Sequence, residues 1–188
     1  MSDGLTAPAV SIRLLDASRV DDVVALGLRN RSDLEATGPH GEYDAAAQRR
    51  RLEAKLKECE RGTRRYWVID VDSVLAGDIE LNHIDRGTWQ TANVGYLVDA
   101  PFRGRGVATA ALGLVIRESF EERGLHRLDA GVLLSNLPSQ RVLEKAGFRR
   151  IGVLERHFYI AGEWRDHLWY ELIGPDVPPA LSSTEPPT

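Results

Sequence analysis

One stretch constrains this chain more than any other. Pro101-Phe102-Arg103-Gly104-Arg105-Gly106-Val107-Ala108 follows a strand-like run, Asn93 to Val98. It leads into a segment where Leu112, Val115, Ile116, Ser119 and Phe120 recur at helical spacing. A strand, a glycine-rich turn and a helix in that order expose backbone N–H groups beside a helix N-terminus. Four amides there lack intrahelical partners and the helix dipole is positive. Phosphate is the natural guest of such a site. Gly104 and Gly106 allow positive φ and close approach of a ligand, and Arg103 and Arg105 can add charge-assisted contacts. The bland alternative is an Arg-Gly-Arg-Gly turn that is only a tight loop.

Two common phosphate patterns are excluded. No lysine follows the glycines, as G-x-x-x-x-G-K-[ST] requires, and Thr109 stands where G-x-G-x-x-G needs its third glycine. The 188 residues suit one domain, over residues 10–174, with a flexible lead at 1–9 and a disordered Pro/Ser/Thr tail at 175–188. Apolar residues at 43% and charged ones at 28% are ordinary globular values. A formal net charge of −4 makes no case for nucleic acid as partner. The single cysteine, Cys59, excludes an internal disulfide framework and reads as a structural thiol. No apolar run approaches the ~20 residues of a membrane span, and no basic-then-apolar signal segment opens the chain. A cytoplasmic, non-membrane protein is expected. His40, His83, His126, His157 and His167 have no zinc-like spacing, so no metal is expected.

The chain in order reads β-α-α-β-β-β-loop-α-β-α-β-β, for which a mixed sheet flanked by helices is the economical fold. Val10, Ile12 and Leu14 alternate as a first strand. Asp16 or Ser18 can cap a helix carrying Val20, Val23, Val24 and Leu28, and Thr37 to Gly41 reads as a loop. Asp44 opens a second helix through about Glu60, whose Arg49-Arg50-Arg51 run reads as a solvated face, and Gly62 stops it. Strands follow over Tyr66–Asp70, Val74–Ile84 and Ala92–Val98. In the second, Leu75, Gly77, Ile79 and Leu81 share one face, and Glu80 and Asn82 point to the other. After the loop, a long helix runs to Arg123 and closes at Gly124. Leu128, Ala130, Val132 and Leu134 alternate towards a core. A helix begins around Asn136-Leu137-Pro138 and ends at Gly147. Phe148–Glu155, Arg156–Ala161 and Trp164–Ile173 complete the strands.

Four motifs in the right order carry a resemblance. Arg103, Gly106 and Ala108 form R-x-x-G-x-A, similar to the R/Q-x-x-G-x-G/A loop of the GNAT acetyltransferases. Asn136, Ser139 and the run Val142-Leu143-Glu144-Lys145-Ala146-Gly147-Phe148 resemble the N-x-x-S-x-x-V-L-E-K-x-G-F signature of the RimJ/RimL branch. Gly162 to His167 resembles its G-x-W-R-D-H hairpin, and Asn93 to Val98 its strand before the loop. The chain is identified on these residues, from about Val10 to Asp176, as a GNAT superfamily member. The resemblance implies the α/β (α+β) GNAT fold, a mixed central sheet of about seven strands flanked by helices and splayed at the acetyl-CoA site. It implies acetyl-CoA as cosubstrate, with Arg103, Gly104, Arg105, Gly106, Val107 and Ala108 holding the pyrophosphate. The backbone of Leu97 and Val98 would pair with the pantetheine arm like an added strand. Asn136 would bond the pantetheine amides and Ser139 would lie near the sulfur. Arg141 or Lys145 would meet the ribose phosphate or serve only as surface charge. The branch acetylates α-amino groups of ribosomal proteins, which implies a protein N-terminus as acceptor. Relatives that acetylate small amines such as antibiotics or polyamines, and a non-catalytic acyl-CoA-binding module, are the alternatives. Pairing into a homodimer through an edge strand or hairpin is compatible with the pattern.

Direct transfer in a ternary complex needs a neutral amine, a stabilised oxyanion and a protonated leaving thiolate. A backbone N–H around Val98 can supply the oxyanion donor, typically worth roughly 3 kcal/mol. Ser139 is a candidate to assist the thiolate, or it is a helix-start residue bonding its own backbone. An α-amino group with pKa near ~8 is roughly a tenth neutral at pH 7, a deficit of about 1.4 kcal/mol; a lysine near ~10.4 faces about 4.6 kcal/mol. Glu80 is the best-placed carboxylate for the base, against the alternative of a solvated strand glutamate. His83 on the same strand and Glu155 are lesser candidates. Phe158 stands where some relatives carry a carboxylate. Trp164, Arg165, Asp166 and His167 lie on a hairpin that could cover the acceptor pocket, or Asp166 could pair with Arg165 or Arg156 to hold the fold.

Overall fold

The computed structural model describes residues 9–38 and 41–176. The expected flexible lead and disordered tail fall almost wholly outside these residues, as do Pro39 and His40 of the expected loop. Strand β1 (Val10–Leu14) is followed by a 3-10 turn, Ala17–Arg19, opened by Asp16, whose side chain accepts from Ser18 N at 2.8 Å. Helix α1 (Val20–Arg29) buries Val23, Val24 and Leu26, and a short α2 (Arg31–Thr37) follows that periodicity did not separate. Helix α3 (Ala45–Glu60) is capped by Asp44, which accepts from Ala47 N at 2.7 Å. Then come β2 (Arg65–Val71), β3 (Val74–Asp85), β4 (Thr91–Val98) and α4 (Val107–Arg117). The expected long helix changes pitch after Arg117 into a wider π turn, Glu118–Glu122, where the Ser119 hydroxyl donates back to Val115 O at 2.7 Å. Strand β5 (Arg127–Leu133), α5 (Leu137–Lys145), β6 (Arg149–Ile160) and β7 (Glu163–Ile173) complete the order.

The seven strands form one sheet in the order β1-β2-β3-β4-β5-β7-β6. Helices α1 and α3 cover one face, where Val20, Val24 and Leu52 pack on Tyr66 and Val68. Helices α4 and α5 cover the other, burying Val107, Leu112, Val115 and Leu143 against Ile79, Leu81, Leu128 and Tyr170. This is the mixed α/β architecture read from the sequence. All neighbouring strands are antiparallel except β4 and β5, which run parallel and pair only over Thr91–Asn93 and Arg127–Asp129. Beyond Asn93 the two strands diverge, and among the described residues β4 to Val98 keeps only β3 as a pairing partner. The sheet is therefore split by a wedge.

Three local expectations are corrected. Ile69 pairs with Gly77 but Asp70 with Leu75, so Ala76 is an extra residue and strict alternation fails there. The bulge leaves Ala76 in the α4/α5 core and turns Leu75 to the α1/α3 side, away from Gly77 and Ile79. Leu134 lies past the end of β5 and is 45% exposed, so it does not face the core. The last two expected strands before the hairpin are one strand, β6, interrupted where Leu154↔His167 gives way to Phe158↔Arg165. Two extra residues bulge there, with Arg156 at φ 48 and its N–H held by Asp166 Oδ1 at 2.7 Å.

Candidate active site

Side chains alternate across strands, so the pairing register lays out the floor of a cavity. On the α1/α3 face, Asp78 stands opposite Leu97, Glu80 opposite Gly95 and Asn82 opposite Asn93; Asn93 in turn neighbours Asp129 on β5. All of these except Gly95 line a cavity of about 820 Å³. Helix α1 contributes Val23, Val24 and Gly27, α3 contributes Gln48, Arg51 and Lys55, and the β6–β7 hairpin contributes His157, Phe158, His167 and Trp169. A Cβ on Gly131 would stand 2.9 Å from the Trp169 ring and 3.0 Å from that of Phe158, so glycine lets both aromatics lie on β5. Phe158, where a carboxylate was a possibility, meets His167 edge-on at 4.7 Å and forms wall.

The acidic groups of the floor are held very differently. Glu80 accepts from Arg64 Nη1 at 2.6 Å and from Lys55 Nζ at 3.1 Å, one cation on each oxygen. Asp78 is pushed up to about 7 by burial, reinforced by the Glu80 charge and opposed by Lys55 and by a hydrogen bond from the Tyr66 hydroxyl. Burial likewise raises Asp129, although Thr91 Oγ1 donates to it at 3.0 Å. Burial lowers His167, whose Nδ1 donates to Arg165 O at 3.1 Å and leaves Nε2 as the acceptor of a neutral ring. His83 lies at the exposed, irregular end of β3 with φ 52. Glu155 is exposed on the β6 bulge.

On the opposite side of the wedge lies the glycine-rich turn. Gly104 and Gly106 have φ of 72° and 80°, and a Cβ at either would meet nothing within 4 Å. Helix α4 begins immediately afterwards, its first backbone bond running from Ala110 N to Gly106 O at 2.9 Å. The preceding amides have no partner within the helix, and the space beside Gly104 and Gly106 is open, an arrangement suited to a diphosphate. Arg105 is exposed beside them, 5.8 Å above the Phe102 ring. Arg103 is turned inward: Nε donates to Val98 O at 2.8 Å and Nη2 to Asn30 Oδ1 and Asp33 Oδ2 at 2.7 and 2.6 Å. Beside it Asp99 accepts two bonds from Arg29, at 3.0 and 3.1 Å, and one from Asn30 at 2.9 Å. Burial works against the Asp99 carboxylate, but the bonds from Asn30 and Arg29 outweigh it and hold it below the usual range. This network clamps the α1–α2 junction to the turn.

Within the wedge, the Leu97 carbonyl occupies the space a Cβ on Gly77 would need. That oxygen therefore leans to β3, and because the peptide is trans the Val98 N–H points the other way, towards β5. From α5, Ser139 Oγ meets the Tyr96 hydroxyl at 2.9 Å, a bond that spans the wedge. Burial pushes Tyr96 up to about 12, so it stays protonated. Asn136 caps α5 through Oδ1, accepting from Ser139 N at 3.2 Å.

The acetyltransferase (GNAT) domain family matches residues 11–149, well over half of the chain. The chain belongs to the GNAT family. The probable N-acetyltransferase YjcK of Bacillus subtilis (strain 168) is 33% identical over 177 residues, covering 92% of this chain and 98% of its own. Among solved structures, Mycobacterium smegmatis RimJ in complex with CoA-disulfide superposes with a TM-score of 0.83 at 28% identity, over 92% of this chain and 85% of that one. The ribosomal-protein-S5-alanine acetyltransferase of Vibrio fischeri gives 0.81 at 25% identity, over 90% and 96%. The chain is thus a RimJ/RimL-like GNAT N-acetyltransferase.

Within this GNAT fold, the sequence-predicted residues fall into two groups on either side of the wedge. Val98, Gly104 to Ala108, Asn136 and Ser139 gather around the β4–β5 split and the start of α4, Glu80 lies on the cavity floor, and Leu97 belongs to both, lining the cavity at the edge of the split. Arg103 is spent on the clamp. Asp166 binds the Arg156 amide and Arg165 pairs with Glu163 at 2.6 Å, so both hold the hairpin; Trp164 is 54% exposed. Cys59 packs beside the α1/α3 core, and burial raises its thiol, as befits a structural residue. Sequence reasoning missed Asp78, Tyr96, Asn30 and Asp99. Only Asp78 carried a signal, since it shares strand parity with Glu80.

Proposed function

We propose that the protein acetylates the α-amino group of a protein or peptide N-terminus, using acetyl-CoA in direct transfer through a ternary complex. The observation that carries the acceptor class is the double ion pair on Glu80. Beside that pair, the cavity's three carboxylates, Asp78, Glu80 and Asp129, face three cations, Arg51, Lys55 and Arg64, so it lacks the net acidic lining a polyamine would require. Its volume of about 820 Å³ exceeds what a single small amine fills and suits the first residues of an extended chain. The likeness to a ribosomal-protein-S5-alanine acetyltransferase supports the same reading.

Acetyl-CoA supplies the activated acyl group as a thioester. The chain's own part follows from the geometry. Amides from Gly104 to Thr109, with Arg105, hold the diphosphate at the start of α4. The unpaired edge of β4 at Leu97 and Val98 takes the pantetheine arm, and the Val98 N–H, aimed into the wedge, donates to the acyl oxygen as it gains charge. Tyr96, kept protonated, holds Ser139 through the contact between their hydroxyls; with Tyr96 as donor, the serine hydroxyl gives its own proton towards the leaving sulfur. Asn136 orients that serine through the α5 cap.

The test is CoA release from acetyl-CoA against peptides with free or acetyl-blocked N-termini, alongside small mono- and polyamines. Release confined to free N-termini is expected. Turnover only with small amines would overturn the acceptor assignment while leaving the fold intact.

A further inference from the structure

Amine acetylation needs a group that removes a proton from the incoming ammonium. Glu80 faces the cavity, but Arg64 and Lys55 occupy its two oxygens. Asp78 faces the same space two residues earlier on β3, in register with Leu97. The next peptide, Leu97–Val98, aims its N–H into the wedge, so of the floor carboxylates Asp78 is the one in register with that donor. Asp129 lies at the closed end, beside Asn93.

We propose that Asp78 is the general base: its carboxylate takes one proton from the acceptor ammonium, yielding a carboxylic acid and a neutral amine. No other bond changes in this step, and the proton later returns to water through the open mouth of the cavity. The surroundings of Asp78 suit that role. Tyr66 on β2 hydrogen-bonds it, and Lys55 on α3 lies 5.1 Å from the Tyr66 ring. Glu80 on its own strand is the nearest carboxylate, with Arg64 beyond it. From α1 the cavity is lined by Val23, Val24 and Gly27, none of them charged, and β4 offers the uncharged Leu97. Arg51, further along α3, is stacked 4.3 Å over Tyr43. Burial among these groups places the carboxyl at about 7, within about one unit of an α-amine near ~8, so the proton passes between nearly matched partners.

This inference rests on the amine-acetylating reading above, and two measurements separate the two. The first is a carboxyl carbon-13 NMR titration of the intact protein, with Asp78 assigned by its loss in Asp78→Asn. A midpoint near 7 is expected, and a midpoint below about 5 would overturn the proposal. The second uses whichever amine of the panel turns over. Asp78→Asn should lower kcat/KM by about 100-fold or more and abolish the acid limb of the pH profile, with calorimetric affinity for CoA unchanged. Tyr66→Phe, which removes a bond favouring the charged carboxylate, should move that limb to higher pH in step with the NMR midpoint. An unaltered limb in Asp78→Asn would also overturn it. A panel without turnover counts against the acceptor reading, while the titration still decides against or for Asp78.

Discussion

Replacing Asp78 by Asn should make the protein more stable in alkali and change it little in acid. The native state holds the Asp78 proton with a pKa raised from 3.8 to about 7, mainly through burial. A carboxyl whose folded-state pKa is raised contributes stability that is fully present below the unfolded pKa and is lost as pH rises through the folded one. At ~1.4 kcal/mol per unit, ionising Asp78 costs the fold roughly 4 kcal/mol well above pH 7. Asparagine is close in shape and cannot ionise, and its amide can still accept from Tyr66. The variant should therefore gain roughly 3 kcal/mol more at about pH 8.5 than at about pH 4.5, where part of the linkage remains. Urea unfolding of both proteins at the two pH values, with m-values compared, reads this directly. A stability difference that does not vary with pH would refute the reasoning, because a packing effect has no proton linkage. Stability gained where activity is lost is the pattern expected of a strained functional group.

Further outcomes follow from the clamp, the turn and the aromatic wall. Gly106→Val forces a β-branched residue into φ 80° at the start of α4 and should weaken CoA binding by about tenfold or more, measured by calorimetry; unchanged affinity in a folded variant would remove the turn from the site. Asp99→Ala strands Arg29 and Asn30 and should cost about 2–3 kcal/mol near neutral pH. Because the Asp99 carboxyl is depressed, its contribution is present above the unfolded pKa and lost as pH falls through the folded value, so the deficit should shrink in acid; unfolding curves at two pH values check it. Gly131→Ala should displace Trp169 and Phe158, lowering stability by roughly 1–3 kcal/mol and shifting tryptophan emission; an unperturbed spectrum and melting temperature would contradict the wall described here.

Much of the scaffold was legible because its signals are local. Asp44 capping α3, Gly62 and Gly124 at positive φ after their helices, and the alternation of β5 each depend on neighbours a few residues away. The same holds for the turn at Gly104 and Gly106, whose backbone freedom is a property of glycine itself. Where local rules failed, a tertiary pairing overrode them. The Ala76 bulge that turned Leu75 over exists only because β2 pairs with β3 in that register, and the bulge joining the halves of β6 is held by Asp166 from β7.

The site divides along the same line. The sequence alone determined the order of elements apart from α2 and the undivided β6, the phosphate-suited turn before α4, the family likeness, and the face of β3 on which Glu80 lies. Tertiary structure alone decided what those groups can do. It bonded Arg103 to Asn30 across 73 positions and Glu80 to Lys55 across 25, separations over which no periodicity carries information. It also covered β3 with α1 and α3, and that covering, rather than anything in the residues flanking Asp78, raises the proton affinity of its carboxylate. Charge states depend on which charges and how much solvent lie nearby in space, and folding settles both.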